Sequence, residues 1–228
     1  MKQRIRVDAG LLAAVILFTA VLYQFPRLYP PSRFLDNSLD WLGLMAIFAG
    51  AYIRMAARGV KKARSRRGDG LVTDGLYSVV RNPMYFGSLM MGAGFVLIVC
   101  PVWFLPVFAG IFYLRFRAQI IREERSLAQR FGEDYAAYCR AVPRMFPRRS
   151  AFASMNAAAL FPWKETWSTK EGRGLPYWSL AAVPMESLQE WRVFGSTNVF
   201  QTAGIFLSAA LVFLIWLGIR YRDQQKHA

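Results

Sequence analysis

The chain alternates between apolar runs and short clusters of charge, and five runs organise it: Ala9–Tyr23, Trp41–Ala57, Tyr85–Cys100, Val102–Phe116 and Val199–Tyr221. A membrane-spanning helix needs roughly 20 mostly apolar residues. Several runs fall short of that, so they are expected to recruit flanking aromatics and snorkelling arginines at the interface. The pattern predicts an all-α polytopic membrane helical bundle with four core spans and a C-terminal span. The first run follows Met1-Lys2-Gln3-Arg4-Ile5-Arg6, the layout of a signal peptide. Leu22-Tyr23-Gln24-Phe25-Pro26 stands where a small-residue cleavage site would be needed, so the run reads as a retained anchor.

Charge sets the expected orientation. Arg54, Arg58, Lys61, Lys62, Arg64, Arg66 and Arg67 follow the second run with only Asp69 against them, which marks a cytoplasmic loop. The third and fourth runs meet at the uncharged Cys100-Pro101-Val102, which predicts a tight hairpin with its tip on the far side. The fourth run emerges into Arg115, Arg117, Arg122 and Arg125, back in the cytoplasm. A fifth span would then leave Arg220, Arg222 and Lys226 outside, against the charge rule. Either the tail tolerates this, or part of Ala151–Gly195 re-enters the membrane. That segment mixes Phe161-Pro162-Trp163, Trp167, Tyr177-Trp178 and Trp191 with scattered charge, which suits an interfacial layer.

Composition agrees with this class. The 228 residues are 55% hydrophobic with a mean hydropathy of +0.23. The net charge of +15 could point to nucleic acid, but the basic residues sit beside apolar runs, where they meet lipid headgroups. No nucleic-acid partner is expected. Cys100 and Cys139 have no metal or redox spacing and are expected on opposite faces, where they cannot pair. The single histidine, His227, lies beside the C-terminus, which excludes histidine triads, HExxH zinc sites and an internal imidazole base.

Two charged elements carry candidate chemistry. Asn82-Pro83 reads first as an ordinary helix start, with Asn as N-cap and Pro at the first helical position. Beside it, Arg81 places a donor fork at the mouth of a membrane helix, where a carboxylate or other anion could be held. Further on, Phe116, Ile120, Leu127 and Phe131 form one apolar stripe. At about 100° per residue, Glu123 and Glu124 lie roughly 50° to either side of that stripe. Periodicity does not choose between them. Adjacent carboxylates at a membrane boundary call for a cationic partner; otherwise they are a solvated helix face.

Five stretches also run in a telling order: Leu71-Val72-Thr73-Asp74-Gly75-Leu76-Tyr77, Arg81-Asn82-Pro83-Met84-Tyr85, Glu123-Glu124-Arg125-Ser126-Leu127, Phe131-Gly132-Glu133-Asp134-Tyr135-Ala136-Ala137-Tyr138 and Val142-Pro143-Arg144. Together they resemble the isoprenylcysteine carboxyl methyltransferase and phospholipid methyltransferase superfamily of integral membrane enzymes. The resemblance covers Leu71–Pro147, about a third of the chain. It implies that S-adenosylmethionine is the cofactor, contacted by Gly75, Tyr77, Arg81, Asn82, Pro83, Tyr85, Glu123 and Glu124. It implies catalysis centred on Arg81, Tyr85 and Glu124, with no metal. The better-studied members have histidine where this chain has Asn82. An amide keeps a donor and an acceptor but cannot titrate.

The charges of S-adenosylmethionine (carboxylate, ammonium, sulfonium) fit an arginine, a helix N-terminus and two carboxylates. The expected activity is methyl transfer to a membrane lipid or lipid-linked small molecule, either a prenylcysteine-like carboxylate or a phospholipid amine. A non-catalytic binding or assembly protein on the same scaffold is the alternative. The expected organisation is a methyltransferase-like unit over 1–149 with its motif core at 71–147, an aromatic interfacial segment over 150–196, and a C-terminal helix and basic tail over 197–228. The expected location is the cell (inner) membrane, with the active site facing the cytoplasm.

Overall fold

Ser32 accepts a hydrogen bond from the Leu35 amide at 3.4 Å, and this cap opens the central helix, α1 (Arg33–Arg64). Lys61, Lys62 and Arg64 close it, where cations complement the helix dipole. The structure, a computed structural model, describes residues 17–65, 69–148, 160–167, 169 and 175–226. Expectations for residues 9–16, Arg66, Arg67, 151–159 and His227 fall outside the described residues. The helices after α1 are α2 (Pro83–Val99), α3 (Phe104–Ala141), α4 (Trp163–Trp167), α5 (Leu175–Phe194) and α6 (Val199–Lys226). Among the described residues there is no strand.

α1 is long and apolar enough to cross a membrane, as are α3 and the Val199–Ile219 part of α6; α2 is a shorter apolar helix. Its 17 residues give about 25 Å at 1.5 Å per residue. Side chains such as Leu114, Leu207 and Phe200, 72%, 71% and 92% exposed, point outward, as lipid-facing residues do. This is an integral membrane helical bundle. Leu44, Ile47, Phe48, Ala51, Tyr52 and Met55 form the buried stripe of α1 at helical spacing.

α1 and α2 run antiparallel and touch through backbone. A Cβ on Gly43 would stand 2.6 Å from the Gly94 carbonyl oxygen, and one on Gly50 would stand 2.5 Å from that of Gly87. Small residues in register let membrane helices approach this closely. The contact fixes where the N-terminus of α2 lies, beside the last turns of α1. At the other end the chain turns through Cys100-Pro101-Val102, with Phe104 N donating to Pro101 O at 2.9 Å. That is the hairpin the uncharged tripeptide predicts.

α3 packs on α2, while α4, α5 and α6 pack on α1, with Phe48 stacked on Phe213, and Tyr52 on Phe161. Their course resolves the C-terminal tail. α4 lies against Gly59, near the end of α1, and Trp163 meets Tyr221 at 5.0 Å between ring centroids. Phe194 instead lies under Arg33, at the start of α1. Between residues 167 and 194 the chain therefore passes from one end of the bundle to the other. The segment expected as an interfacial layer contains the extra passage, and the end of α6 returns to the same end as Lys61.

Two results follow from this geometry. Reporters fused after Pro147 and after Ala228 will give the same side of the membrane, and an epitope at Pro101-Val102 the other. Gly50→Val, which drives a branched side chain into the Gly87 backbone, will lower thermal stability by an amount on the order of 1–3 kcal/mol.

Candidate functional site

The Asp74–Gly87 stretch folds as a turn followed by a helix start. Gly75 takes φ +58, a left-handed conformation suited to glycine, and opens a single 3-10 turn through Ser78. Pro83 then begins α2, and its missing N–H falls where none is needed. Asn82 occupies the N-cap position, but its side chain makes no cap bond. The expected capping role is therefore not the one its amide performs.

That amide faces the buried carboxylate of Glu124. Asn82 Nδ2 donates to Glu124 Oε1 at 3.1 Å and to the Arg144 carbonyl at 3.1 Å. Two acceptors on one nitrogen fix which end of the amide points inward. Arg144 grips the same carboxylate in bidentate fashion, Nη2 to Oε2 at 2.7 Å and Nε to Oε1 at 3.2 Å. Arg81 Nη1 stands 3.5 Å from Oε1 and also donates to Cys139 Sγ at 2.7 Å. Glu124 is 8% exposed, whereas its neighbour Glu123 is exposed. The choice that periodicity leaves open is made by Arg144, which arrives from 20 residues downstream.

The polypeptide after α3 closes this arrangement as a strap. Arg81 N donates to Pro143 O at 2.8 Å, and Asn82 N to Arg144 O at 3.2 Å. The strap can return because α3 breaks at Gly132, whose φ of +47 interrupts the helix. Beyond the break, Tyr138 donates its hydroxyl to the Tyr77 carbonyl at 2.7 Å. Gly132 thus turns the Phe131-Gly132-Glu133-Asp134-Tyr135 motif back onto the loop.

These elements enclose a cavity of about 260 Å³, near the small end of ligand pockets. Lys61 and Ser65 come from the end of α1, Leu71 and Val72 from the loop, and Met84 and Tyr85 from α2. The far wall is Glu123, Glu124 and Leu127 of α3 with Arg130, Tyr135 and Tyr138. Of the predicted contacts, Tyr77, Arg81, Asn82, Pro83, Tyr85, Glu123 and Glu124 all line it. Gly75 does not; it shapes the turn that presents Tyr77. The two charged elements, separate in sequence, meet at one end of the bundle. Lys61, Ser65, Arg130, Arg144 and the two tyrosines of α3 were given no role by sequence. The ordered motifs containing Val142-Pro143-Arg144 were the available signal for the strap.

The electrostatics divide the two glutamates. Glu124 spends both oxygens on protein donors. Glu123 accepts at Oε1 only, from Tyr85 Oη at 2.8 Å and Gln119 Nε2 at 3.1 Å. Burial opposes the charge of Arg81, but the negative charge of Glu124, helped by Cys139 and Tyr135, raises its pKa above the ordinary arginine value. The guanidinium therefore stays charged, and its Nε–H is buried with no partner among the described atoms. Burial, with a smaller contribution from Glu123, raises the Tyr77 phenol well above its usual range, so it remains a neutral donor. The cavity is thus lined by a charged guanidinium, an exposed carboxylate and an apolar wall. That set fits a zwitterionic amino-acid moiety carrying a larger apolar or aromatic body.

Comparison with known proteins follows from the same residues. The phospholipid methyltransferase family model matches residues 38–134. Protein-S-isoprenylcysteine O-methyltransferase B of Arabidopsis thaliana is 29% identical over 141 residues, covering 60% of this chain and 72% of the relative. Its A counterpart from the same plant is 32% identical, over 46% of this chain and 57% of the relative. The cobalt-zinc-cadmium resistance protein CzcN of Cupriavidus metallidurans is 37% identical, over 38% of this chain and 40% of its own length. The chain thus spans from two fifths to seven tenths of these curated relatives. No solved structure matches it.

Because Asn82 and Arg144 share Glu124, their loss will not be additive. Chemical denaturation of Asn82→Ala, Arg144→Ala and the double variant should give a coupling of roughly 0.5–3 kcal/mol. A sum within about 0.3 kcal/mol would mean the network is not a unit. Gly132→Ala meets no steric obstacle at its Cβ yet must hold a positive φ. It is expected to cost about 1 kcal/mol and to loosen the strap, seen as faster amide exchange at 142–146.

Proposed function

We propose that this chain, which resembles the isoprenylcysteine carboxyl methyltransferase and phospholipid methyltransferase superfamily, is a membrane methyltransferase that moves a methyl group from S-adenosylmethionine to a lipid-phase acceptor. The acceptor class is a prenylcysteine-like carboxylate or a phospholipid amine. The observation that carries this reading is that seven of the eight predicted cofactor contacts line one cavity. In this reading residues 1–149 form the methyltransferase unit, and the described parts of 150–196 and 197–228 pack against α1. The basic clusters at Lys61–Arg64 and Arg122–Arg130 support a cavity facing the cytoplasm at the cell membrane, by the charge rule.

Bound S-adenosylmethionine supplies a sulfonium-activated methyl, so a carboxylate acceptor needs no base and an amine needs only to arrive unprotonated. The residues then bind, align and exclude water. Arg81 takes the cofactor's carboxylate. Glu123 takes its ammonium, oriented by Tyr85 and Gln119. Glu124 acts as a positioning residue, because Arg144 and Asn82 occupy it and it in turn holds Arg81. Asn82 has no proton-transfer duty here, and none is needed.

Calorimetric titration of S-adenosylmethionine into detergent-solubilised protein tests this assignment. Glu123→Gln should weaken binding by roughly 0.2–1 kcal/mol, the range for an exposed charge pair. Asn82→His, which retains a ring donor, should bind about as well as the parent. Glu124→Gln should weaken binding together with thermal stability, while Glu123→Gln leaves stability unchanged. A Glu123→Gln protein that binds like the parent would remove Glu123 from the site. Mass spectrometry of membrane extracts made with and without the protein then identifies the acceptor by its gain of one methylene.

A further inference from the structure

At the end of the bundle away from the cavity, α1 and α5 bury a set of oxygens that no donor meets. Asp36 and Asp40 are one turn apart on α1. Glu186 and Gln189, at i and i+3, share a face of α5. Asp36, Asp40, Glu186 and Gln189 are 4%, 1%, 2% and 1% exposed. One oxygen from each of the three carboxylates lies within 4.8 Å of the others. Gln189 donates its Nε2 to Asp36 Oδ1 at 3.1 Å, which fixes its amide beside the cluster. Both oxygens of Asp40, Oε2 of Glu186 and Oε1 of Gln189 then have no hydrogen-bond partner. The nearby guanidinium is committed elsewhere, since Arg33 pairs with Glu190 and with Ser196.

A buried carboxylate without a partner is costly, and three together more so. A proton shared between two of them would bridge one pair and leave Gln189 Oε1 unmet. A multivalent cation would meet all three carboxylates at once, and the Gln189 amide already lies against one of them. The donor set is oxygen only, which selects a hard ion. The set is dry and made of protein oxygens alone. That favours calcium, because magnesium dehydrates reluctantly and usually keeps several waters. We propose that Asp36, Asp40 and Glu186, with Gln189 Oε1, form a structural divalent-cation site of calcium size that fastens α5 to α1.

The site is distinct from the methyl-transfer cavity. Asp40 and Ser65 are 25 residues apart in sequence, with all but the last residue in α1, so the two lie about 37 Å apart along the helix at 1.5 Å per residue. Its role is also different, since it touches neither Arg81 nor the strap. The chain has no zinc spacing and the resemblance implies no metal, but neither bears on an oxygen-only site assembled from two distant segments.

The test uses the full chain in detergent, stripped with a chelator and dialysed. Calorimetric titration with calcium chloride should show one ion per chain and raise the unfolding temperature, with magnesium chloride at least tenfold weaker. Asp40→Asn and Glu186→Gln should each weaken calcium binding at least tenfold, while Asp134→Asn, an exposed acid elsewhere, leaves it unchanged. Without calcium, Asp40→Asn should melt no lower than the stripped parent, because it removes a repelling charge; this shows that the variant folds. A folded, stripped parent that neither binds calcium nor gains stability from it would overturn the proposal. So would Asp40→Asn binding calcium within twofold of the parent, or magnesium binding more tightly than calcium.

Discussion

The end of the bundle that carries the motifs is organised by one buried carboxylate. Glu124 sits at the membrane boundary with 8% exposure, where an isolated charge is costly. It is tolerated because Arg144, Arg81 and Asn82 converge on its two oxygens. Each of those partners belongs to a different piece of chain: the strap after α3, the loop before α2, and the start of α2 itself. Satisfying one charge therefore ties three segments to α3. A charge pair of this kind gives little net stability by itself, and its value lies in fixing which segments meet. The cavity is the space left once they have met.

Backbone contact between α1 and α2 does the complementary work. The Gly43–Gly94 and Gly50–Gly87 approaches set the register of the hairpin, so that Pro83 lies opposite Arg54 rather than a turn away. The break at Gly132 then lets the end of α3 turn toward the loop. Two local backbone features and one ion network are enough to bring together residues separated by about 80 positions of sequence. Asn82, where the superfamily that this chain resembles has histidine, shows how such a departure can be absorbed. One amide nitrogen serves two acceptors, so the position keeps a structural task that a neutral group can carry.

Much of this was legible in the sequence. The apolar runs marked α1, α2, α3 and α6, the uncharged Cys100-Pro101-Val102 marked the hairpin, and the ordered motifs marked the cavity. Periodicity placed Glu123 and Glu124 symmetrically about the stripe and could go no further, because the deciding cation lies outside the helix. The passage made between residues 167 and 194 was illegible for a related reason. Pro184, Glu186, Gln189 and Glu190 break its apolar run; Glu186 and Gln189 lie against Asp36 and Asp40 of α1, and Glu190 pairs with Arg33. The same passage explains the basic tail, which returns to the Lys61 end instead of violating the charge rule. Asn82 was placed correctly at the start of α2, but propensity alone assigned its side chain to the cap.

The central claim is that the loop before α2 and the paired glutamates of α3 form one cofactor-binding site. Its most direct test is photo-crosslinking of radiolabelled S-adenosylmethionine to the detergent-solubilised protein, followed by peptide mapping. The account predicts label on two peptides, one carrying Tyr77 and Tyr85 and the other carrying Tyr135 and Tyr138, with competition by unlabelled cofactor. Competed label confined to α5 or α6 would contradict it.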